Sequence, residues 1–256
     1  MRMNVLNRIV VAAGIGAVAL FGLSVPANAQ RGQDQRQQED QKGRNRGQAK
    51  RQQRLAPQDQ QVLISQQQQR LGQYREYLDQ QQRVAQQRTV QLQQARRTAQ
   101  YGVQQQYSAR LRQQQSRVQQ NQGRYNYRGD PYFYTPSTYR YLRGGRYYDT
   151  NQYGLNLLRQ AVNFGYDEGV RAGMADRQDR WASGYEDSFA YQDANYGYSG
   201  FYVDRDDYNY YFREGFRRGY EDGYNGRYQY GVYTRGKGTI LGAVLGAILV
   251  FEAIRR

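Results

Sequence analysis

Residues 163–176 read NFGYDEGVRAGMAD, and residues 209–222 read NYYFREGFRRGYED. The two stretches align without gaps, 46 residues apart, and share Asn, Glu, Gly, Arg, Gly and Asp at six positions. Repetition at a fixed offset is typical of an internal duplication. We therefore expect one structural unit to occur twice in this part of the chain.

Each copy carries glycines spaced four residues apart, a spacing that puts them on one face of a helix. They are Gly165, Gly169, Gly173, Gly215, Gly219 and Gly223. A glycine face lets another backbone approach closely, whereas each glycine costs an exposed helix about 1 kcal/mol relative to alanine. Residues 161–227 are therefore predicted to form a small duplicated helical unit with two-fold symmetry, with Gly/Tyr-rich disorder as the alternative.

The copies also repeat their charges, with Glu168 matching Glu214 and Asp176 matching Asp222. Paired carboxylates can serve acid–base catalysis, but on a helical unit they are more often caps or ion pairs. The chain contains no His and no Cys, which removes thiol nucleophiles, imidazole bases and Cys/His metal sites. We therefore expect no enzyme activity, no metal site and no cofactor.

The stretch from Gly165 to Asp176 has the form GYxxGxxxGxxD. It resembles the Gly/Tyr repeats of uncharacterised exported bacterial proteins, over about 60 residues that include both copies. No activity is implied by this resemblance.

Residues 1–29 have the order of a secretory signal, with Arg2 and Arg8 before an apolar run and a small-x-small site after it. The predicted cleavage site is formed by Ala27, Ala29 and Gln30. The alternatives are an uncleaved membrane anchor and a short amphipathic helix. The signal predicts that the protein is exported to the periplasm or cell envelope.

Two polar segments follow the signal. Residues 30–56 contain mostly Gln, Arg, Gly and Asp, a composition typical of a disordered tether. Residues 57–122 are predicted to form one long Gln/Arg-rich helix, because apolar residues recur every seven positions from Ile64 to Ala99. This stripe would form only a weak coiled-coil seam. The helix is therefore expected to stand alone in solvent, to self-associate or to lie along a surface.

Of the net charge of +15, +12 lies between Gln30 and Asp130, and no Asp or Glu occurs from Gln80 to Gly129. The arginines predicted to contact a polyanion are Arg83, Arg88, Arg96, Arg97, Arg110, Arg112 and Arg117. Concentrated positive charge attracts polyanions, although it can also serve solubility alone. In an exported protein the expected partner is an anionic envelope polymer or lipid head group rather than nucleic acid.

Residues 123–160 are rich in Tyr, Gly and Arg and are predicted to form a linker. Its side chains suit cation–π and stacking contacts. In an exported protein, those contacts favour glycan stacking or self-adhesion.

Residues 228–256 end in an apolar run, TILGAVLGAILVF, before Glu252. The glycines of this tail, Gly238, Gly242 and Gly246, again lie four residues apart, similar to the glycine zippers of envelope proteins. The run predicts a C-terminal apolar helix of roughly 24 Å, against about 30 Å of hydrocarbon. It would act as a short membrane anchor, pack on the repeats, or lie on a surface and oligomerise.

These features together predict a mainly α protein with extensive disorder. The expected function is that of an exported, envelope-associated structural or adhesion protein without catalytic activity. The alternative is a periplasmic binding or chaperone-like module for an anionic client.

Overall fold

Helices make up most of the structure, a computed structural model that describes residues 54–121 and 125–254, and the predicted mainly α class is confirmed for these residues. The helices are α1 (Pro57–Gln94), α2 (Thr98–Asn121), α3 (Gln152–Gln178), α4 (Phe189–Asp193), α5 (Arg205–Asn225) and α6 (Gly242–Ile248). The predicted signal peptide, its cleavage site and nearly all of the predicted tether lie outside the described residues.

Five short strands complete the described fold. They are β1 (Tyr139–Arg143), β2 (Arg146–Thr150), β3 (Gly231–Thr234), β4 (Lys237–Ile240) and β5 (Phe251–Ala253). The first sheet is antiparallel in the order β2-β1-β5, and Tyr139 pairs with Thr150 on one side and with Ala253 on the other. β3 and β4 form a separate antiparallel hairpin.

The linker predicted over residues 123–160 is wrong, because part of it folds into the β1–β2 hairpin. Gly144 and Gly145 have φ angles of +55° and +80°, the backbone that a two-residue hairpin turn requires. Asn151 then accepts hydrogen bonds from the N–H groups of Tyr153 and Gly154. This cap starts α3 at Gln152, nine residues before the predicted unit begins.

A single helix over residues 57–122 is also wrong, because the chain reverses between α1 and α2. Arg96 lies in this connection with a φ of +55°. The carboxylate of Asp179 accepts hydrogen bonds from the N–H groups of Ala99 and Gln100, each at 2.9 Å. A carboxylate at a helix amino terminus satisfies its free N–H groups and its dipole. The break between the two helices is therefore stabilised by Asp179, about 80 positions away in sequence. For this reason the residues next to the break carry no capping signal that could have predicted it.

Most of the apolar stripe of α1 is buried within the chain itself. Leu71, Tyr74 and Leu78 of α1 and Tyr107 and Leu111 of α2 are buried. Glutamine amides join the two helices as well. The Nε2 of Gln82 donates to Oε1 of Gln115 at 2.7 Å, and that of Gln104 donates to Oγ1 of Thr89 at 2.9 Å. The pair is therefore a helical hairpin packed on the rest of the fold, hereafter the α1–α2 hairpin.

The six repeat glycines lie where α3 meets α5. A Cβ on Gly165, Gly169 or Gly173 would overlap the carbonyl oxygen of Phe212, Phe216 or Tyr220, respectively. A Cβ on Gly215, Gly219 or Gly223 would overlap that of Val162, Tyr166 or Val170. Residue numbers rise together along the two helices, so α3 and α5 run parallel. The backbones thus touch along the whole contact, as glycine faces allow.

The predicted two-fold symmetry of this unit is wrong. If Gly169 faces Phe216, that symmetry requires Gly215 to face Val170, the counterpart of Phe216 in the first copy. The structure places Gly215 against Val162 instead. The copies are therefore displaced along their axes by about one helical turn. Because glycine recurs at every turn of each helix, the two glycine faces fit each other equally well after a displacement of one turn.

Buried tyrosines tie this core together through carboxylates. The hydroxyls of Tyr166 and Tyr220 each donate to a carboxylate at 2.7 Å, and Tyr107 and Tyr141 do so at 2.6 Å. Their acceptors are Asp222, Asp176, Asp193 and Asp207, respectively. Burial raises the pKa of each of these four tyrosines, which keeps the hydroxyls protonated as donors. A chain without disulfides thereby gains links between distant segments.

The long C-terminal apolar helix predicted within residues 228–256 is wrong, because among the described residues there only the seven of α6, Gly242–Ile248, are helical. Gly238 lies in β4, and its N–H donates to Oδ1 of Asp167 at 2.6 Å. Gly242 and Gly246 lie in the short helix α6, where no atom comes within 4 Å of a Cβ built on either. A turn at Arg235 and Gly236, with φ of +52° and +77°, favours the hairpin over a continuous helix.

The apolar tail residues are used in other ways. Ile248 and Leu249 are buried, and Leu142 donates its N–H to the carbonyl of Val250 at 3.1 Å, next to β5. None of the helices in residues 54–121 and 125–254 combines the length and the hydropathy that a bilayer span needs.

Candidate ligand-binding cleft

The seven arginines predicted to contact a polyanion divide into two groups. Arg97 and Arg110 form ion pairs with carboxylates of α3. Arg97 is buried, so its predicted contact with a polyanion is wrong, whereas Arg110 is still partly exposed. Arg83, Arg96, Arg112 and Arg117 are exposed, and Arg88 is half-buried. The first group holds the α1–α2 hairpin in place, and the second remains accessible.

Arg97 and Asp176 form the more deeply buried of these ion pairs. Their side chains are 7% and 1% exposed. The Arg97 guanidinium also lies 4.5 Å from the ring centroid of Trp181. Burial raises the pKa of Asp176, while the Tyr220 hydroxyl and Arg97 lower it. A buried charge needs partners of this kind, so this pair is structural.

Arg110 and Glu168 form the second pair. The Nη2 of Arg110 lies 2.5 and 2.6 Å from the two carboxylate oxygens, and Nη1 of Arg171 lies 3.1 Å from one of them. The Glu168 side chain is fully buried. Burial raises its pKa to about 7, against the opposing effect of the two guanidiniums. Glu168 thus fixes Arg110, which borders the cleft described next.

A cleft of about 430 Å³ opens between α2, α3 and the loop of residues 195–202. Its aromatic lining consists of Tyr125, Phe164, Tyr196, Phe201 and Tyr202. Arg110, Arg117 and glutamines of α2 and α3 complete it. These residues are called the aromatic cleft below. Ligand sites commonly combine an apolar, aromatic lining with a few polar groups in this way.

Several contacts hold the rings of the aromatic cleft in place. The Phe164 and Tyr196 rings lie 5.0 Å apart between centroids, and the Arg110 guanidinium lies 5.2 Å from the Tyr196 ring. On the other side, Asp130 accepts hydrogen bonds from the hydroxyls of Tyr125 and Tyr202. The lining is therefore arranged by the fold, before any ligand binds.

The loop of residues 195–202 is held by one glutamine of α2. Gln114 accepts from the N–H of Gly197 at 2.7 Å and donates to the carbonyl of Asn195 at 3.0 Å. Gly197 has a φ of +91°, and a Cβ there would overlap the Phe164 ring. Glycine is thus required for the loop to lie against α3.

The rim of the aromatic cleft is polar and accessible. Gln113, Arg117 and Gln160 line it with exposed side chains. Among the described residues, Arg117 makes no ion pair or hydrogen bond with a side chain or backbone group. Of the described arginines that line the cleft, Arg117 is therefore the exposed one, and it lies next to fixed aromatic rings.

The predicted packing glycines and tail glycines lie away from this cleft. The repeat glycines form the α3–α5 contact, and the tail glycines lie in β4 and α6. Within residues 54–121 and 125–254, no group of three or more acidic side chains could hold a metal ion.

Sequence analysis missed the aromatic cleft itself. Residues 195–202 read NYGYSGFY, and this run of rings and glycines was the available signal. Their convergence with Phe164 and Arg117 depends on packing between segments far apart in sequence.

Comparison of the chain with models of protein families, with curated proteins and with solved structures finds no match. Function is therefore inferred from the residues and their geometry.

Proposed function

We propose that this chain is an exported structural or adhesion protein of the cell envelope, without catalytic activity. It attaches to an anionic polymer or lipid surface through the α1–α2 hairpin. The observation that carries this proposal is the set of accessible arginines on a hairpin whose sequence has no acidic residue after Asp79. They are Arg83, Arg88, Arg96, Arg112 and Arg117.

The charge of the hairpin favours attachment over a purely solubilising role. Arg97 and Arg110 fix the hairpin to α3, so the accessible arginines are presented on a rigid surface. A single exposed ion pair contributes little, roughly 0–1 kcal/mol. Several on one hairpin can act together on a polymer, and guanidinium groups bind phosphate and carboxylate in a bidentate way.

The repeated carboxylates support a structural role. Asp176 and Asp222 accept hydrogen bonds from buried tyrosines, and Glu168 is bound by Arg110. Glu214 pairs with Arg217 and Arg218 of its own helix. Each carboxylate is thus used within the fold.

The alternative, a binding or chaperone-like module, is favoured by a second groove. It has a volume of about 280 Å³ and lies between α1, α2 and α4, with Leu78, Leu111 and Phe189 in its lining. Glutamines surround these residues, and Arg112 lines the same groove. An anionic client with an apolar segment would keep that segment bound there at high salt, whereas attachment through arginines alone would be lost.

Co-sedimentation with isolated bacterial envelopes tests the proposal. We expect the purified full chain to bind at 50 mM NaCl and to be released at 500 mM. Replacing Arg83, Arg88, Arg96 and Arg112 together with Gln should abolish binding, and replacing the same four with Lys should preserve most of it. If binding is unchanged both by 500 mM NaCl and by the Gln substitutions, the proposal is overturned in favour of the client-binding module.

Export is tested separately by fractionating the producing bacteria and sequencing the mature amino terminus. We expect a periplasmic or envelope fraction and an amino terminus at Gln30. A cytoplasmic protein that begins at Met1 would overturn the assigned compartment.

A further inference from the structure

We propose that the aromatic cleft binds one sugar unit of an acidic polysaccharide, so that the anionic polymer of the envelope is a glycan. This inference rests on the proposed function and names the chemistry of its polymer. In the bound state, a pyranose ring lies on the rings of Tyr196 and Phe164, and Arg117 binds its acidic group.

The rings suit a pyranose because both faces of that sugar carry C–H groups while its edge carries hydroxyls. Phe164 and Tyr196 supply apolar surface at the cleft, and both side chains are partly exposed. The Tyr196 backbone is already used, since its N–H donates to Tyr107 and its carbonyl accepts from Tyr208. Arg110, Tyr107 and Phe164 contact the Tyr196 ring, and its solvent-exposed part is the surface offered to a ligand.

The polar rim of the aromatic cleft can bind the hydroxyls and the acidic group of the sugar unit. Gln113 and Gln160 each carry an amide that both donates and accepts, the combination that vicinal hydroxyls need. Arg110 is held by both carboxylate oxygens of Glu168, and Asp130 accepts hydrogen bonds from two tyrosine hydroxyls. Among the described residues of the cleft, Arg117 is therefore the cation without an ion pair, which indicates one carboxylate, sulfate or phosphate for each bound unit.

The fixed geometry of the aromatic cleft favours a small, rigid ligand. Asp130 and Gln114 hold the walls before binding, so little conformational entropy is lost when a ligand binds. The volume of about 430 Å³ lies in the usual range for such ligands. A lipid acyl chain would contact the rings but would leave the rim amides and Arg117 unused.

The accessible arginines elsewhere on the hairpin extend this recognition along a polymer. Arg112 lies one and a half turns before Arg117 on α2 but lines the other groove. A polysaccharide held at the aromatic cleft would present its further acidic groups to the hairpin surface. The cleft then supplies selectivity, and the surface supplies salt-dependent affinity.

Calorimetric titration with a uronic acid trisaccharide tests the inference, with polyphosphate as an anion that has no sugar ring. We expect Arg117→Gln and Tyr196→Leu each to weaken trisaccharide binding by about tenfold, the effect of losing one ionic or stacking contact. The matched controls are Arg112→Gln, which removes the same charge outside the cleft, and Tyr210→Leu, which removes an exposed ring of α5. Both controls should stay within about twofold of the unmodified chain.

Polyphosphate separates this inference from the proposed function. We expect its binding to weaken equally in Arg117→Gln and Arg112→Gln and to be unchanged in Tyr196→Leu. If the trisaccharide follows that same pattern, or if a short single-stranded oligonucleotide binds more tightly than the trisaccharide, the glycan inference is overturned and polyanion attachment stands. If neither polyphosphate nor trisaccharide binds at low salt, the proposed function itself is overturned. Circular dichroism must show that every variant is folded.

Discussion

The hydroxyl of Tyr166 donates a 2.7 Å hydrogen bond to Oδ2 of Asp222. Tyr166 belongs to the first copy of the repeat, and Asp222 closes the second. The N–H groups of Gln229 and Tyr230 donate to the same carboxylate at 2.8 and 3.0 Å, where the chain leaves α5 for β3. One buried carboxylate thus joins both glycine-faced helices to the β3–β4 hairpin.

Replacing Tyr166 with Phe should lower the free energy of unfolding by about 1.5–3 kcal/mol, because a buried carboxylate loses a charged hydrogen bond. Urea denaturation followed by circular dichroism measures this. Tyr228→Phe is the control, since Tyr228 is 40% exposed and its hydroxyl has no hydrogen-bond partner among the described residues. Equal stabilities of the two variants would contradict the structural role of the Tyr166–Asp222 bond.

Replacing glycine with alanine is expected to lower the stability at one position and to raise it at another. Gly169→Ala places a Cβ against the backbone of Phe216 and Tyr220, so the helices must separate, and we expect a loss of about 2 kcal/mol or more. Gly102→Ala in α2 meets no atom within 4 Å and should gain up to about 1 kcal/mol from helix propensity. Thermal denaturation distinguishes these outcomes. A gain at both positions would mean that α3 and α5 do not touch through glycine.

Arg97 gives a test of the buried ion pairs. Arg97→Gln leaves the Asp176 carboxylate buried without its cation and should cost about 3 kcal/mol of stability. Arg83→Gln removes the same charge from an exposed site and should change stability by less than about 0.5 kcal/mol.

A second substitution, Asp176→Asn, should recover part of the stability lost in Arg97→Gln, since it removes the uncompensated charge. Chemical denaturation of the single and double variants measures this coupling. An unchanged stability of Arg97→Gln would show that the hairpin is not held through this pair.

The raised pKa of Glu168 predicts that the free energy of unfolding depends on pH. Burial raises its pKa from 4.5 to about 7, so the folded protein binds this proton more tightly than the unfolded chain. Its contribution is therefore complete below about pH 4.5 and is lost as the pH rises through about 7. The total change is roughly 3 kcal/mol at most.

Glu168→Gln keeps the side chain neutral and isolates this effect. The stability of the unmodified chain relative to this variant should fall between pH 5 and pH 8, as measured by urea denaturation at each pH. A difference that grows with pH would show that Arg110 and Arg171 lower the pKa by more than burial raises it.

The contact face of the repeats could be predicted because its cause is local. Glycines four apart form one face whatever the rest of the chain does, and Gly165 and Gly215 lie where that spacing placed them. The displacement of the copies could not be predicted, since a face that repeats at every turn fits its partner in several registers.

Of the two chain reversals, the turn of the β1–β2 hairpin could be predicted from the sequence, and the turn of the α1–α2 hairpin could not. Gly144-Gly145 between tyrosine-rich segments is a local turn signal that was available and overlooked. The reversal at Arg96 had no comparable signal, because Asp179 supplies the cap from another helix.

The aromatic cleft belongs with the unpredictable features. Its aromatic residues could be counted in the sequence, but Tyr125, Phe164 and Tyr196 meet only because Asp130 and Gln114 fix two loops against α2 and α3. Long-range contacts of this kind are not encoded in any single window of residues.

The pairing of β5 with β1 has a consequence for the order in which the protein matures. Arg140 and Glu252 face each other across this pair, although 112 residues separate them in sequence. When the chain emerges amino-terminus first, β1 keeps one open edge until residue 251 arrives, and contacts of such long range form slowly. The β2-β1-β5 sheet is therefore completed last, after the segments that form the α3–α5 contact have already been synthesised.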